Sequence, residues 1–162
     1  DRIVVIDGGR VQQLGSPRDI YNNPSNLFVT TFIGDRNIMQ VEVLETGDTH
    51  SKVKVGGNVV SIRNPKKHLL KDGEPAILAI HMDKMRVSCD ETPNALVGKA
   101  LSVHYAGSQI RIELRVGDQA ITVVEYQKTE CDCGEGDSVY ITWDEHGAIL
   151  LPLEDAWVEG EV

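Results

Sequence analysis

Residues 96–126 read LVGKALSVHYAGSQIRIELRVGDQAITVVEY, and their pattern is the clearest indication of the fold. Gln109 to Val116 alternates strictly between apolar and polar residues, and strand side chains point alternately to opposite faces of a sheet. The segment is therefore predicted to be a half-buried strand between two glycine turns, at Gly107 and Gly117, with a long strand before it and a partner strand after it. The positions predicted to face inward are Ile110, Ile112 and Leu114, and those predicted to face outward are Arg111, Glu113 and Arg115.

Most of the chain beyond this stretch has the same character. Short runs rich in Val and Ile are separated by Gly, Asp, Asn and Pro at roughly 8–12-residue spacing, which is typical of an all-β barrel or sandwich. Gly56-Gly57-Asn58 supplies another turn. The further predicted strands are 38–44, 51–55, 59–62, 75–80, 85–87, 138–143 and 148–151.

The β region is predicted to contain a weak internal repeat. A polar break at Asp90 to Asn94 separates two halves, about 38–89 and 95–153. Each half has a strand, a glycine turn, an alternating strand, a second turn and then a Gly-acidic pair before an apolar strand. Asp72-Gly73-Glu74 before 75–80 parallels Gly136-Asp137 before 139–143.

The N-terminal 34 residues have a different pattern. Ile3 to Ile6 is an uninterrupted apolar run, which favours a strand buried on both faces, and Asp7-Gly8-Gly9 is a hairpin signal. Ser16 followed by Pro17 predicts a helix start, and Asn23-Pro24 repeats that signal. A second helix is predicted over Pro24 to Ile33 and ends at Gly34, with a shared face formed by Leu27, Phe28, Thr31 and Phe32.

These N-terminal residues resemble the end of the nucleotide-binding domain of an ABC-importer ATPase, in the right order and spacing. In that family the stretch leads into OB-like β-domains called TOBE domains, so the resemblance implies that residue 1 lies inside a longer protein. The residues that carry it are Asp1-Arg2-Ile3, Asp7-Gly8-Gly9-Arg10-Val11, Gly15-Ser16-Pro17, Ile20-Tyr21, Asn23-Pro24, Phe28-Val29 and Phe32-Ile33-Gly34.

The β region is similar to the TOBE domains of polyamine and iron importers. One departure is His81-Met82-Asp83, where the family usually has Arg-Pro-Glu, and it implies a differently built loop. The resemblance divides the chain into a domain remnant at 1–34, a TOBE region at 35–155 and an acidic tail at 156–162. The matching residues are Asn37-Ile38-Met39, 96–107, Leu114, Gly117, 121–123, Gly136-Asp137-Ser138-Val139 and 143–151.

The expected fold is therefore mainly β, an OB-like TOBE barrel or sandwich preceded by a β-hairpin and two short helices. The resemblance implies a non-catalytic regulatory and dimer-forming region of an ABC importer's ATP-binding subunit. Its expected partners are a second copy of itself and, through the parent protein, the membrane subunits at the cytoplasmic face. ATP and Mg are expected in the parent only, and no cofactor is expected in this chain.

Composition bears on the alternatives. The 162 residues carry a formal net charge of −9, which opposes binding to nucleic acid, since that affinity rests mainly on Lys and Arg. No apolar run approaches the roughly 20 residues of a membrane span, and no signal peptide is visible. Two other functions stay open: a TOBE module that senses an oxyanion or a polyamine, and, less favoured, an oligonucleotide-binding OB-fold.

Motifs for catalysis are not found in the sequence. Gly98-Lys99 is followed by Ala100 and lies within a predicted strand, so it does not match the Walker A loop. His81, His104 and His146 have no nucleophile at a recognisable spacing, and His104 is expected to be a half-exposed strand residue. No catalytic, cofactor-binding or metal-binding residue is therefore assigned.

The remaining candidates have simple structural interpretations. Cys131-Asp132-Cys133, with Cys89, could suggest zinc, but structural sites normally use two Cys pairs. Reduced, solvent-exposed loop thiols are the expectation instead. Lys66-Lys67-His68 is predicted to be a surface turn. Trp143 is expected in the core and Trp157 as an anchor of the tail.

Overall fold

The computed structural model describes residues 1–65, 70–126 and 131–153. An N-terminal segment, formed by a hairpin and two short helices, precedes two five-stranded antiparallel sheets. The predicted mainly β architecture is thereby confirmed. The part of the chain that the structure describes contains no helix long and apolar enough to cross a membrane.

The N-terminal segment has its own small core of Val5, Ile20 and Val29. The predicted start of the first helix is confirmed: Ser16 caps it by accepting a hydrogen bond from the backbone N–H of Asp19, whose carboxylate accepts one from the backbone N–H of Ser16. The elements are β1 (Ile3–Asp7), β2 (Arg10–Gly15), α1 (Pro17–Asn22) and α2 (Leu27–Ile33).

Two expectations for this segment are wrong. Strand β1 buries only Val5, because β2 is its sole strand partner among the described residues. Helix α2 begins at Leu27 rather than Pro24, since the side chain of Asn26 caps it by accepting from the backbone N–H of Val29. Its buried residues are consequently Val29 and Thr30, whereas Phe32 is 67% exposed.

The two sheets have the same strand arrangement. The first has the order β12-β6-β3-β4-β5 and the second β7-β11-β8-β9-β10. The strands of the first half are β3 (Arg36–Thr46), β4 (His50–Val55), β5 (Asn58–Arg63), β6 (Pro75–His81) and β7 (Met85–Ser88). Those of the second half are β8 (Leu96–Ala106), β9 (Gln109–Val116), β10 (Gln119–Tyr126), β11 (Ser138–Trp143) and β12 (Ala148–Pro152).

Each half gives its last strand to the other half's sheet. Strand β7 pairs with β11, where Val87 lies opposite Ile141, and β12 pairs with β6, where Leu150 lies opposite Leu78. A 3-10 turn, at Met82–Lys84 or Glu145–Gly147, carries the chain across each time. One continuous apolar core spans both sheets as a result.

Backbone hydrogen bonds match between the halves and confirm the predicted repeat. The pairing of β3 is irregular after Val43, whose backbone N–H donates to Glu74 O and whose carbonyl accepts from the N–H of Gly73. Strand β8 is irregular after Ala100, which makes the equivalent bonds with Asp137 and Gly136. The inward positions predicted on β9 are also confirmed, since Ile110, Ile112 and Leu114 are 4%, 0% and 0% exposed.

A pair of asparagines ties the two halves together at matching positions. The Asn37 side chain donates to Thr122 O at 2.7 Å and accepts from the Thr122 N–H at 2.8 Å. The Asn94 side chain makes the same two bonds with Ser61, at 3.0 and 2.7 Å. The side-chain amide of each asparagine therefore makes the two hydrogen bonds that the backbone of a neighbouring strand would otherwise make.

The hairpin turns β4–β5 and β9–β10 meet at two glycines. A Cβ on Gly56 would lie 2.9 Å from the backbone nitrogen of Gly117, and a Cβ on Gly117 would lie 2.6 Å from the Cα of Gly56. Both residues also have positive φ, at 51° and 61°. Any other residue would therefore both strain the turn and force the hairpins apart.

Candidate functional site

A cluster of three side chains joins the N-terminal segment to the first sheet. Arg36 opens β3 and lies opposite His81, the last residue of β6. The ring of Tyr21, from α1, stacks on the imidazole of His81 with 4.3 Å between ring centroids. Nη2 of Arg36 donates a hydrogen bond of 2.6 Å to the backbone carbonyl of Tyr21. Arg36, His81 and Tyr21 are called the junction cluster below.

Burial sets the charges of the junction cluster. Desolvation first, and then the nearby positive charge of Arg36, lower the pKa of His81 to about 4, so the imidazole is neutral at pH 7. Desolvation also lowers the pKa of Arg36 to about 10, which leaves it protonated. The pKa of Tyr21 is raised, first by burial and then by Asp83. The cluster thus contains one buried positive charge.

The junction cluster is incompletely hydrogen-bonded. Nε and Nη1 of Arg36 and both ring nitrogens of His81 are buried without a partner in the part of the chain that the structure describes. Each unsatisfied buried polar group costs about 1–3 kcal/mol. Gly34 and Asp35, just before β3, both have positive φ. Gly34 and Asp35 form the turn at which the N-terminal segment passes into the first sheet.

Two cavities have polar side chains in their walls. The smaller, about 80 Å³, lies between the end of α1 at Asn22 to Pro24 and strand β12, with Arg63 and His146 also in its wall. The larger, about 320 Å³, is lined by His50, Ser61, Arg63, Pro93, Asn94, Thr142, Trp143 and Glu145. Arg63 belongs to both walls, so the two cavities are neighbours.

The larger cavity has a mixed polar and aromatic wall. Nε2 of His50 lies 3.3 Å from a carboxylate oxygen of Glu145 at its rim. Trp143 is partly buried against the common core, as the sequence predicted. The guanidinium of Arg63 and the hydroxyl of Thr142 make no hydrogen bond to another described residue, so both can donate to a small polar molecule.

Of the three histidines considered from the sequence, only His81 enters the junction cluster. It is 2% exposed, whereas His104 and His146 are exposed. Gly98 and Lys99 lie in β8 and Lys99 pairs with Arg115 of β9, so they form no phosphate-binding loop. Lys66-Lys67-His68, Trp157 and the acidic tail lie outside the described residues.

The expectation of exposed loop thiols is wrong. Cys131 is 1% exposed and Cys133 9% exposed, because both side chains belong to the common core. Cys131 is joined to Cys89 by a disulfide, so only Cys133 has the reduced thiol that was expected of all three cysteines. No group of three potential metal ligands lies together within residues 1–65, 70–126 and 131–153.

The sequence analysis did not single out Arg36 as a candidate residue. The residue is 7% exposed and starts β3. A signal was available: Asn37 and Asn94 hold matching places before the long strand of each half, so the residues beside Asn37 also belong to the fold.

Comparison with known proteins agrees with this architecture. Residues 78–151 match the TOBE domain family, a range that takes in the whole second sheet and strand β12 up to Leu151. A molybdate-bound structure of the cytoplasmic molybdate-binding protein ModG aligns with a TM-score of 0.58 and 18% identity over 72% of this chain and 95% of that one. The likeness to ModG supports the OB-like fold.

Curated relatives extend the match to nearly the whole chain. The spermidine/putrescine import ATP-binding protein PotA of Thermobifida fusca is 30% identical over 94% of this chain and 41% of its own length. The PotA proteins of Haemophilus ducreyi and Thermotoga maritima are 28% identical over 96% and 94% of this chain, and over 44% of each relative. The chain therefore matches the TOBE domain family over residues 78–151, and it is similar along almost its entire length to less than half of an import ATP-binding protein.

Proposed function

We infer that this chain is the non-catalytic regulatory region of the ATP-binding subunit of an ABC importer. The observation that carries the proposal is similarity to import ATP-binding proteins over 94–96% of the chain, including the N-terminal segment. The parent protein then binds ATP and Mg, couples hydrolysis to solute uptake, and acts at the cytoplasmic face with membrane subunits. The relatives' names point to polyamines as the solute class.

The junction cluster suggests how such a region acts. It joins the N-terminal segment, which resembles the end of a nucleotide-binding domain, to the first sheet through one stacked ring pair and one hydrogen bond. Movement of the segment changes the stacking of Tyr21 and the solvation of Arg36. The cluster is thus suited to pass a displacement between the ATPase and the β region.

Self-association is part of the same proposal. The N-terminal segment exposes Val4, Ile6, Val11, Leu14 and Phe32 on its surface. Apolar side chains in this number favour contact with another protein surface, and a symmetric pair is the commonest closed arrangement. Light scattering after size exclusion tests it, and a monomer at micromolar concentration would contradict it.

The encoding gene gives a direct test of the main proposal. Reading in frame upstream of Asp1 should reveal a Walker A sequence, Gly-x4-Gly-Lys-[Ser/Thr], and an ABC signature motif. Calorimetry on this chain alone should detect no ATP binding. A start codon immediately before Asp1 with neither motif upstream, or stoichiometric ATP binding by the chain, would contradict the proposal.

Ligand sensing is a second candidate function, favoured by the 320 Å³ cavity. Its wall offers donors from Arg63 and Thr142, a carboxylate from Glu145 and the ring of Trp143. Titration with molybdate, sulfate and spermidine, repeated on Arg63→Ala and Glu145→Ala, separates anion from cation binding. No heat with any of the three would exclude these ligands.

A further inference from the structure

The disulfide between Cys89 and Cys131 fastens one exchanged strand to the other half of the chain. Cys89 follows the last residue of β7, and Cys131 lies in the segment that leads into β11. The two Cα atoms are 5.2 Å apart and 42 residues apart in sequence. The bond therefore connects the strand from the first half to a segment of the second half.

The first sheet shows that this fold holds an exchanged strand without such a bond. From the strand register, Pro152 at the end of β12 corresponds to Cys89. Counting back from the matching turns at Gly73 and Gly136, buried Leu70 corresponds to Cys133. Proline cannot form a disulfide, so the equivalent strand is held by pairing and apolar packing. The covalent bond is an addition to the architecture rather than a requirement of it.

We propose that Cys89 and Cys131 are a reversible redox site: oxidation fastens β7 to the second half, and reduction releases the end of that strand. The consequence reaches the larger cavity, because Pro93 and Asn94 in its wall lie four and five residues after Cys89. The redox potential of the surrounding thiols and disulfides thereby controls how rigidly one wall of that cavity is held.

The three cysteines differ in solvent exposure. Cys89 is exposed and open to a thiol or peroxide, whereas Cys131 and Cys133 are buried. Burial raises the pKa of the Cys133 thiol, which keeps it protonated and a poor nucleophile. In the structure Cys89 is paired with Cys131 and Cys133 is the free thiol, so Cys89–Cys131 is the pairing expected to re-form in each cycle.

The reactions balance with small oxidants and reductants. The Cys89 thiolate attacks a peroxide oxygen and becomes a sulfenic acid as the peroxide releases water or an alcohol; the Cys131 thiol then displaces the hydroxyl as a second water and forms the disulfide. In reduction, a thiolate of glutathione or of a dithiol attacks Cys89 Sγ and releases the Cys131 thiolate, which takes up a proton. A second glutathione, or the second thiol of the dithiol, then frees Cys89 and forms the reductant's own disulfide.

The experiment equilibrates the full chain in buffers of varied glutathione ratio, followed by differential alkylation and peptide mass analysis. A linked Cys89–Cys131 peptide should be replaced by two alkylated cysteines within the range of ratios used, while Cys133 is never linked. Reduction should lower the thermal midpoint by roughly 5–15 °C, from the loss of a 42-residue cross-link. Cys89→Ser should remove this response, and Cys133→Leu, which introduces the side chain found at the matching Leu70, should keep it.

Two results would overturn the proposal. If the Cys89–Cys131 bond persists at every glutathione ratio until the chain is unfolded, the disulfide is a permanent cross-link. Three free thiols after treatment with peroxide would show that it does not form. If Cys89→Ser fails to fold, the glutathione titration of the unsubstituted chain and of Cys133→Leu still decides between these outcomes.

Discussion

Asn37 and Asn94 make the same pair of hydrogen bonds in different surroundings, and this permits a matched test of what burial adds. Asn37 is 5% exposed, and its amide satisfies the backbone N–H and carbonyl of Thr122. Asn37→Ala leaves both groups without a partner, at about 1–3 kcal/mol each, so the free energy of unfolding should fall by about 2–6 kcal/mol. The side chain of Asn37 also donates to the sulfur of Met85, which adds to the loss.

Asn94 is exposed, so water can replace its bonds to Ser61. Its φ of 52° makes glycine the substitution without backbone strain, and Asn94→Gly should cost no more than about 1.5 kcal/mol. Urea unfolding at neutral pH, followed by far-UV circular dichroism, measures both values. If Asn94→Gly lowers the free energy of unfolding as much as Asn37→Ala does, burial does not determine how much these side-chain amide hydrogen bonds stabilise the fold, and the reasoning is wrong.

The other predictions concern the core, one turn and pH. Leu114→Ala should cost about 2–5 kcal/mol in denaturant unfolding and Glu113→Ala at most about 0.5 kcal/mol, because only Leu114 is in the core; the reverse ranking would refute the register. Gly56→Ala should cost about 2 kcal/mol more than Gly107→Ala, since both have positive φ but only Gly56 faces backbone atoms; equal midpoints in thermal melts would argue against that contact. The folded-state pKa of His81, about 4, lies below its unfolded value of 6.5. The contribution of neutral His81 to the free energy of unfolding is therefore complete above pH 6.5 and is lost as the pH falls toward 4, and it amounts to at most about 3 kcal/mol. His81→Phe should flatten that part of the curve of stability against pH.

The strands and the repeat were predictable because they depend on local signals. Alternation fixed the faces of β9, and glycine turns marked both hairpins around it, at Gly107 and Gly117. The junction cluster was not predictable, because nothing near Arg36 in the sequence shows that Tyr21 will cover it. Burial of Cys131 was missed for the same reason: a long-range partner, Cys89, overrides the polar residues around it.

The extent of helix α2 shows where local reasoning misleads. Asn23-Pro24 predicts a start at Pro24, but the side chain of Asn26 caps the helix, which begins at Leu27. Val29 packs with Val5 and Ile20 in the small core of the N-terminal segment, and Phe32 lies exposed. The spacing of the apolar residues shows which of them share a face of the helix, but not which face the rest of the segment covers.

Because β7 and β12 are exchanged between the sheets, neither half of the chain can be inherited without the other. A fragment that ends at residue 89 would carry a strand whose neighbour, β11, is encoded in the other fragment, and its own sheet would lack an edge strand. Recombination or truncation between the halves would therefore leave two incomplete proteins, each exposing strand edges that invite aggregation. The two halves therefore have to be inherited together, as one interlocked unit.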